Sequence, residues 1–227
     1  DLEKAGHPVV RIELSDKLAL GGEFFRWEIA IAIAGMMMNL NPFNEPNVAE
    51  SKKNTDNLLE DWKRNGVFQK ENPIVKVGDI SICGKVLEDQ IKNDDSSLHN
   101  AFSVFAALTQ SHDYIALLPY FMLTEQRLHI LQNWRLQLRA KLKIATTLLT
   151  GPRYLHSTGQ LHKGGPPTGL YIILIGEETV ELPIPDEPYS FGVLHEAQAL
   201  GDFRSLTGKN RRVIYINLGK IIDEQLK

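Results

Sequence analysis

The 227-residue chain contains a single cysteine, Cys83, so it can form neither an internal disulfide nor a cysteine-based metal site. Such low cysteine usage is typical of a reducing compartment, and we expect a cytoplasmic protein. The first residues show no signal-peptide pattern, and we expect none. The longest apolar run, Ile29–Met38, is about half of the roughly 20 residues needed to span a bilayer. We therefore interpret it, including its three methionines, as part of a buried core helix and expect no membrane partner.

The chain also lacks an excess of basic residues. It carries 25 lysines and arginines against 28 acidic residues, a net charge of −3, and its basic residues do not dominate any long block. Binding to duplex nucleic acid needs a clustered basic surface, so this composition argues against nucleic acid as a partner. A compact anionic metabolite remains compatible, because a few local cations suffice to bind it.

Strand-like and helix-like patterns alternate along the sequence. The pattern predicts strands at 9–14, within 73–86, and at 114–118, 144–149, 170–175 and 212–217. It predicts helices at 23–38, 46–65, 97–108, 124–142, 154–162 and 189–200. Alternation at these lengths indicates an α/β fold, a three-layer sandwich with a mainly parallel sheet.

A polar segment, 92–97, divides this pattern and is our predicted internal boundary. It would separate a first part, 1–92, from an α/β domain, 97–227. The chain begins with Asp rather than Met and leads almost directly into a predicted strand. We expect it to be a piece of a longer protein.

The most informative stretch is Gly151–Gly169, a polar connection between two apolar strands. Ligands of parallel sheets bind beyond the carboxyl ends of the strands, where this connection is expected. It fits neither a Walker loop nor a Gly-x-Gly-x-x-Gly loop. Its cations and neutral hydrogen-bonding groups together suit a phosphorylated polyol. The candidate substrate-binding residues are Arg153, Ser157, Thr158, Gln160 and Lys163.

His156 is the candidate acid or base in this stretch, because imidazole titrates closest to neutral pH. The alternative is that it only fills the start of a helix. His162 lies six residues later, about 240° around a helix, so the two rings are not expected to share a metal. We predict no metal and no cofactor.

A second segment, Asn41–Lys52, would by itself be the solvated corner of two helices. Its part Phe43–Lys52, reading FNEPNVAESK, resembles the closing motif of the phosphoglucose isomerase family, where an Asn-x-Phe-Asp-Gln run leads to a catalytic lysine. Lys52 falls on that lysine, and Asn44 and Glu45 replace the usual Asp and Gln. The run from His156 to Gln160 is similarly like the family's His-Ser-x-x-Gln pattern, which bears the ring-opening histidine.

Further segments resemble the isomerase half of bifunctional transaldolase/glucose-6-phosphate isomerase fusions. They are Gly21–Glu28, Gly151–Pro166, Tyr189–Leu194 and Ala197–Asp202. The resemblance implies a sugar-isomerase (SIS)-like fold and the interconversion of glucose 6-phosphate and fructose 6-phosphate. It implies that His156 opens the sugar ring and that Lys52 lies near the phosphate or the ring oxygen.

The sequence departs from the family in three further respects. Lys52 precedes His156, whereas the histidine precedes the lysine in ordinary isomerases. The Glu-x-x-Gly-Lys-like motif that holds the base is absent, and the Ser/Thr loop that binds phosphate is not recognisable. We therefore expect upstream isomerase and transaldolase domains of the same polypeptide as partners, little or no activity in this chain alone, and a homodimer as an open option.

Two other functions stay open. One is a non-catalytic sugar-phosphate-binding or structural module of a larger enzyme. The other is a transaldolase, but that chemistry needs a Schiff-base lysine in a barrel, and this pattern does not provide eight strand–helix units.

Overall fold

The computed structural model describes residues 1–69, 71–91, 97–178, 180–220 and 222–226. The chain forms two compact units, 1–44 and 45–227. The predicted boundary at 92–97 differs from this division. Residues 92–96 lie outside the described residues, and the strands on either side of them belong to one sheet.

The first unit contains helix α1, Ala19–Met37. It begins four residues before the predicted start, where the Asp16 carboxylate accepts hydrogen bonds from the N–H groups of Leu18 and Ala19. The expectation of a buried core helix is wrong for this chain. The large apolar side chains of α1 are exposed, with Met37 80% and Phe25 64% accessible. From Ile29 onward the helix carries no polar side chain, so its apolar surface extends around the whole circumference, and the 44 residues of its own unit do not cover it.

The strand predicted at residues 9–14 is also wrong. This segment is irregular and exposed, and Val10 is 83% accessible. A strand is stable only when its backbone groups pair with a neighbour, and within the described residues this segment joins no sheet.

The second unit carries the remaining regular structure. Its helices are α2 (Pro46–Asn65), α3 (Leu98–Ala107), α4 (Glu125–Leu142), α5 (Gly159–Gly164), α6 (Phe191–Gly208) and α7 (Ile222–Gln225). Its strands are β1 (Val75–Val77), β2 (Ile80–Cys83), β3 (Tyr114–Pro119), β4 (Ala145–Leu148), β5 (Gly169–Ile175) and β6 (Arg212–Asn217). Each of the predicted strands and helices from residue 46 onward corresponds to one or more of these elements.

The six strands form one mixed sheet in the order β1-β2-β6-β5-β3-β4. The pairs β3–β4, β3–β5 and β5–β6 are parallel, whereas β1–β2 and β2–β6 are antiparallel. The chain leaves β3 for β4 on one side and then crosses back to β5 on the other. This reversal between β3 and β5 is the topological switch point at which open α/β sheets place their ligand crevice.

Helices cover both faces of the sheet, which gives the predicted three layers. Residues along β5 alternate between the two cores: Tyr171 and Ile173 face one, and Leu170 and Ile172 face the other. The first core is completed by α2, α6 and the turn around Tyr154, and the second by α3 and α4. The α/β fold class is confirmed.

Hydroxyl side chains define the beginnings of three helices. Ser97, Thr124 and Ser190 accept hydrogen bonds from backbone N–H groups in the first turns of α3, α4 and α6. Such caps satisfy amides that have no partner inside the helix. At the other end of α2, Gly66 adopts the left-handed conformation with φ of 72°. Among the described residues, no helix combines the length and apolar character that crossing a bilayer requires.

Candidate functional site

The candidate site is built on residues 151–165, which we call the His156 segment. It follows β4 directly, at the carboxyl end of the parallel strands. A 3-10 turn, Arg153–His156, is followed by the short helix α5. The predicted single helix over 154–162 is therefore two short pieces, with Ser157 and Thr158 between them.

Three predicted site residues lie on the outer side of the segment. Arg153, His156 and Ser157 are exposed. The Ser157 hydroxyl donates to the Tyr154 carbonyl at 3.1 Å. Within the described parts of the chain, neither the His156 ring nor the Arg153 guanidinium has a hydrogen-bond partner, so both are available to a ligand.

Gln160 joins the two segments that the sequence analysis singled out. Its side-chain Oε1 accepts from the N–H of Asn47 at 3.1 Å, and its Nε2 donates to the Asn47 Oδ1 at 2.8 Å. Asn47 lies in the first turn of α2, inside Phe43–Lys52. The pairing of Gln160 with Asn47 also satisfies an amide at the start of α2.

Lys52 lies further along α2 from this junction. Val48 is buried against the backbone of Gly159, where an added Cβ would lie 3.3 Å from the Val48 Cγ2. Lys52 follows Val48 by one helical turn and is exposed. It is about 140° around the helix from Asn47, on the opposite flank of the buried face. The structure records no direct contact between Lys52 and His156.

Lys163 is not on the exposed surface with Arg153 and His156. It is 1% accessible, and its Nζ lies 2.5 Å from the Oδ1 of Asp202, which is equally buried. The other carboxylate oxygen, Oδ2, accepts hydrogen bonds from the hydroxyls of Tyr120 and Tyr154. We call these four residues the Asp202 cluster. In this conformation Lys163 binds Asp202 rather than a ligand.

Sequence reasoning missed Tyr120, Tyr154 and Asp202 as residues of the site. Tyr154 lies inside the His156 segment, and Asp202 closes one of the segments that resemble the fusion enzymes. An aspartate near the end of a mostly apolar run, Ala197–Phe203, was the available signal, since a buried charge requires a partner.

His162 is buried beneath the same segment, 2% accessible. Its ring contacts the rings of Tyr114, Tyr154 and Tyr171, with centroids 5.0 to 5.8 Å apart. Burial, followed by the charge of the adjacent Lys163, lowers the pKa of His162 from 6.5 to about 4. The ring is therefore neutral at physiological pH. It does not share the exposed position of His156.

Thr158 is half-buried, and its Oγ1 is itself buried and finds no hydrogen-bond partner in the described ranges. Over those ranges there is also no group of three histidine, cysteine, aspartate or glutamate side chains that could hold a metal ion. The exposed groups without a partner that the segment presents are therefore an imidazole and a guanidinium.

Comparison with known proteins gives a partial match. No protein-family profile matches this sequence. Glucose-6-phosphate isomerase of Lactobacillus helveticus (strain DPC 4571) is 41% identical over 56 residues, which are 24% of this chain and 13% of that protein. The match indicates a weak relationship to that enzyme over a short stretch, and the chain spans far less than the length of this relative.

The fold comparison identifies a crystal structure of a hypothetical protein from Thermus thermophilus. It matches with a TM-score of 0.49 and 19% sequence identity, covering 63% of this chain and 40% of that one.

Proposed function

We propose that this chain is part of a glucose-6-phosphate isomerase, with His156 at its sugar-phosphate site. The observation that carries the proposal is the pairing of Asn47 with Gln160. It joins the two segments in which the sequence resembles that family, although they lie 113 residues apart. The short match to the Lactobacillus helveticus isomerase supports the same reading.

His156 acts as the general acid that opens the sugar ring. It gives a proton to the ring oxygen as the bond between that oxygen and C1 breaks, while the C1 hydroxyl loses its proton to a base or to water. An exposed imidazole with no internal partner can make this transfer without first breaking a protein contact. Arg153 and Ser157 bind the phosphate or the hydroxyls of the sugar. Thr158 is the remaining candidate for such a contact, and its hydroxyl is buried without an internal partner.

Lys52 stabilises negative charge on the phosphate or the ring oxygen from its position on α2. Gln160 contributes by holding α2 against the His156 segment. Lys163 contributes through its pairing with Asp202, beneath the segment. In this arrangement Lys163 and Gln160 shape the site, and the exposed residues contact the substrate.

Other parts of a larger protein complete the site. The base that moves the proton between C1 and C2 through the enediol lies outside this chain, as does the main phosphate loop. The proposal includes an SIS-like fold for the α/β unit, further isomerase and transaldolase domains in the same polypeptide, and a homodimer as one assembly that would bring such parts together.

The test is a kinetic comparison of His156→Ala with the unchanged protein, in the longest polypeptide that carries this sequence. We expect kcat for fructose 6-phosphate to fall about 100-fold, the usual contribution of a general acid. His99→Ala is the matched control, because His99 is exposed on α3, on the other face of the sheet. It should leave kcat unchanged.

Two outcomes would contradict the proposal. Isomerase activity that survives His156→Ala, together with saturable binding of fructose 6-phosphate, would identify a non-catalytic sugar-phosphate-binding module. Turnover of fructose 6-phosphate by the 227-residue chain alone would show that the base lies within it.

A further inference from the structure

Asp202 connects three elements that meet beneath the candidate site. It lies on α6 and is 1% accessible. Its partners come from the end of β3 (Tyr120), from the 3-10 turn (Tyr154) and from α5 (Lys163). One carboxylate therefore fixes the relative positions of β3, α6 and both pieces of the His156 segment.

The contacts hold the segment on both sides of His156. Tyr154 precedes His156 by two residues, and Lys163 follows it by seven. Between them, Leu155 is buried in the core and Gln160 is bonded to Asn47. His156 and Ser157 thus form an exposed apex between fixed points.

Stability alone does not explain the Asp202 cluster. Burying an ion pair costs desolvation energy for both charges, and well-packed apolar residues of similar volume often give equal or greater stability. Here a carboxylate, an ammonium and two hydroxyls occupy space in a core that is mostly apolar. The polar cluster instead fixes the orientation of the side chains and of the segment that carries them, because hydrogen bonds and ion pairs constrain orientation more closely than apolar contacts do.

The Arg211 guanidinium supports the same segment from its far end. Its Nη2 donates to the carbonyl of Lys163 at 2.8 Å and to that of Gly165 at 2.6 Å. The backbone that leaves α5 is therefore held at the residue whose side chain pairs with Asp202.

We propose that Asp202 is a positioning residue for His156, acting through Tyr154 and Lys163 to hold the apex of the segment in its catalytic orientation. The inference rests on the proposed function. Asp202 does not contact substrate. It acts on the rate by restricting where the imidazole lies.

The decisive variant replaces the whole cluster by apolar residues: Tyr120→Phe, Tyr154→Phe, Lys163→Met and Asp202→Leu together. We expect the unfolding midpoint to be retained, because the substitutions leave no polar group of the cluster buried without a partner. Amide hydrogen exchange within 151–165 of the chain should become about tenfold faster, while exchange in β3 and β5 stays unchanged. In the longest polypeptide that carries this sequence, kcat should fall about tenfold, with a smaller change in KM.

Tyr154→Phe is the milder variant and serves if the fourfold variant does not fold. It removes one hydrogen bond to Asp202 and keeps the ring. We therefore expect faster exchange in 151–165 and a lower kcat, both by less than in the fourfold variant. Asp113→Asn is the matched control. Asp113 is also buried and paired with an arginine, Arg212, but it lies at the other end of β3. It should lower stability without lowering kcat selectively.

The possible results separate the two proposals. Unchanged exchange in 151–165 and unchanged kcat in the fourfold variant would overturn the positioning role, as would exchange that rises equally throughout the sheet. If His156→Ala leaves activity intact while the fourfold variant still accelerates exchange in the segment, the proposed function fails and Asp202 is left with a purely structural role.

Discussion

Asn47 and Gln160 exchange two hydrogen bonds, at 3.1 and 2.8 Å, across 113 residues of sequence. The side-chain amide of Gln160, on α5, bridges the backbone N–H and the side-chain Oδ1 of Asn47, in the first turn of α2. Gly164 lies against the same pair, where an added Cβ would come within 2.6 Å of the Asn47 Oδ1. This junction is the main polar connection between the two motif segments.

Gln160→Ala should destabilise the chain by about 1–2 kcal/mol, because it removes both bonds and leaves the Asn47 amide groups unsatisfied. Urea unfolding followed by circular dichroism measures the change. Gln137→Ala is the control: Gln137 is exposed on α4 and should tolerate the change within about 0.5 kcal/mol. Equal stability of the two variants would show that the pairing of Asn47 with Gln160 contributes nothing to the stability of the fold.

Gly151→Ala should destabilise the fold by about 1–3 kcal/mol, the usual cost of overpacking. A Cβ at this position would lie 2.3 to 2.6 Å from ring carbons of Tyr120, which is held in place by Asp202. Gly208→Ala provides the comparison, since no atom lies within 4 Å of its added Cβ. Thermal unfolding should separate the two variants clearly; similar midpoints would mean that Tyr120 can move aside.

The regular elements of the α/β unit were predictable from sequence because each is marked by short-range features. Apolar runs bounded by glycine, proline or polar residues predicted β5 and β6, and β6 spans the predicted residues 212–217. Ser97 and Thr124 marked the starts of α3 and α4, since a cap needs only one hydroxyl at the right position.

The features that were not predictable depend on what packs against them. Lys163 looked like a free cation in a polar loop, and its burial against Asp202, 39 residues away, follows only from the fold. The apolar sequence of α1 indicated a helix correctly, but periodicity does not show whether a neighbour covers that helix. The strand expected at 9–14 failed for the same reason.

Arg212→Lys should lower the free energy of unfolding by about 2 kcal/mol or more, because a lysine cannot reproduce the planar fork of an arginine. The Arg212 guanidinium donates to both oxygens of Asp113, at 2.6 and 2.9 Å, and to the carbonyls of Leu108 and Pro167, at 2.8 Å each. These contacts join α3, β3 and the backbone leading into β5. Arg139→Lys, at an exposed position on α4, is the matched control in urea unfolding and should be neutral. If Arg212→Lys left the free energy of unfolding unchanged, a single positive charge without the planar fork would be enough for stability.

The buried ring of His162 predicts a pH dependence of stability. Its pKa is about 4 in the folded chain, against 6.5 for the free imidazole side chain, so the unfolded chain binds a proton first as the pH falls. Stability from this group is therefore complete above about pH 6.5 and declines as the pH falls toward about 4, by at most about 3 kcal/mol. The free energy of unfolding, measured in urea between about pH 4.5 and 7.5, should decline more steeply with acid in the unchanged chain than in His162→Leu.

His156→Leu is the control for that measurement, because it removes an exposed histidine from the same segment. Its stability should follow the pH dependence of the unchanged chain. The comparison tests the sign as well as the size of the effect. If His162→Leu kept the full decline in acid, proton uptake by His162 would not be its cause, and the ring would have to be accessible to water in the folded state.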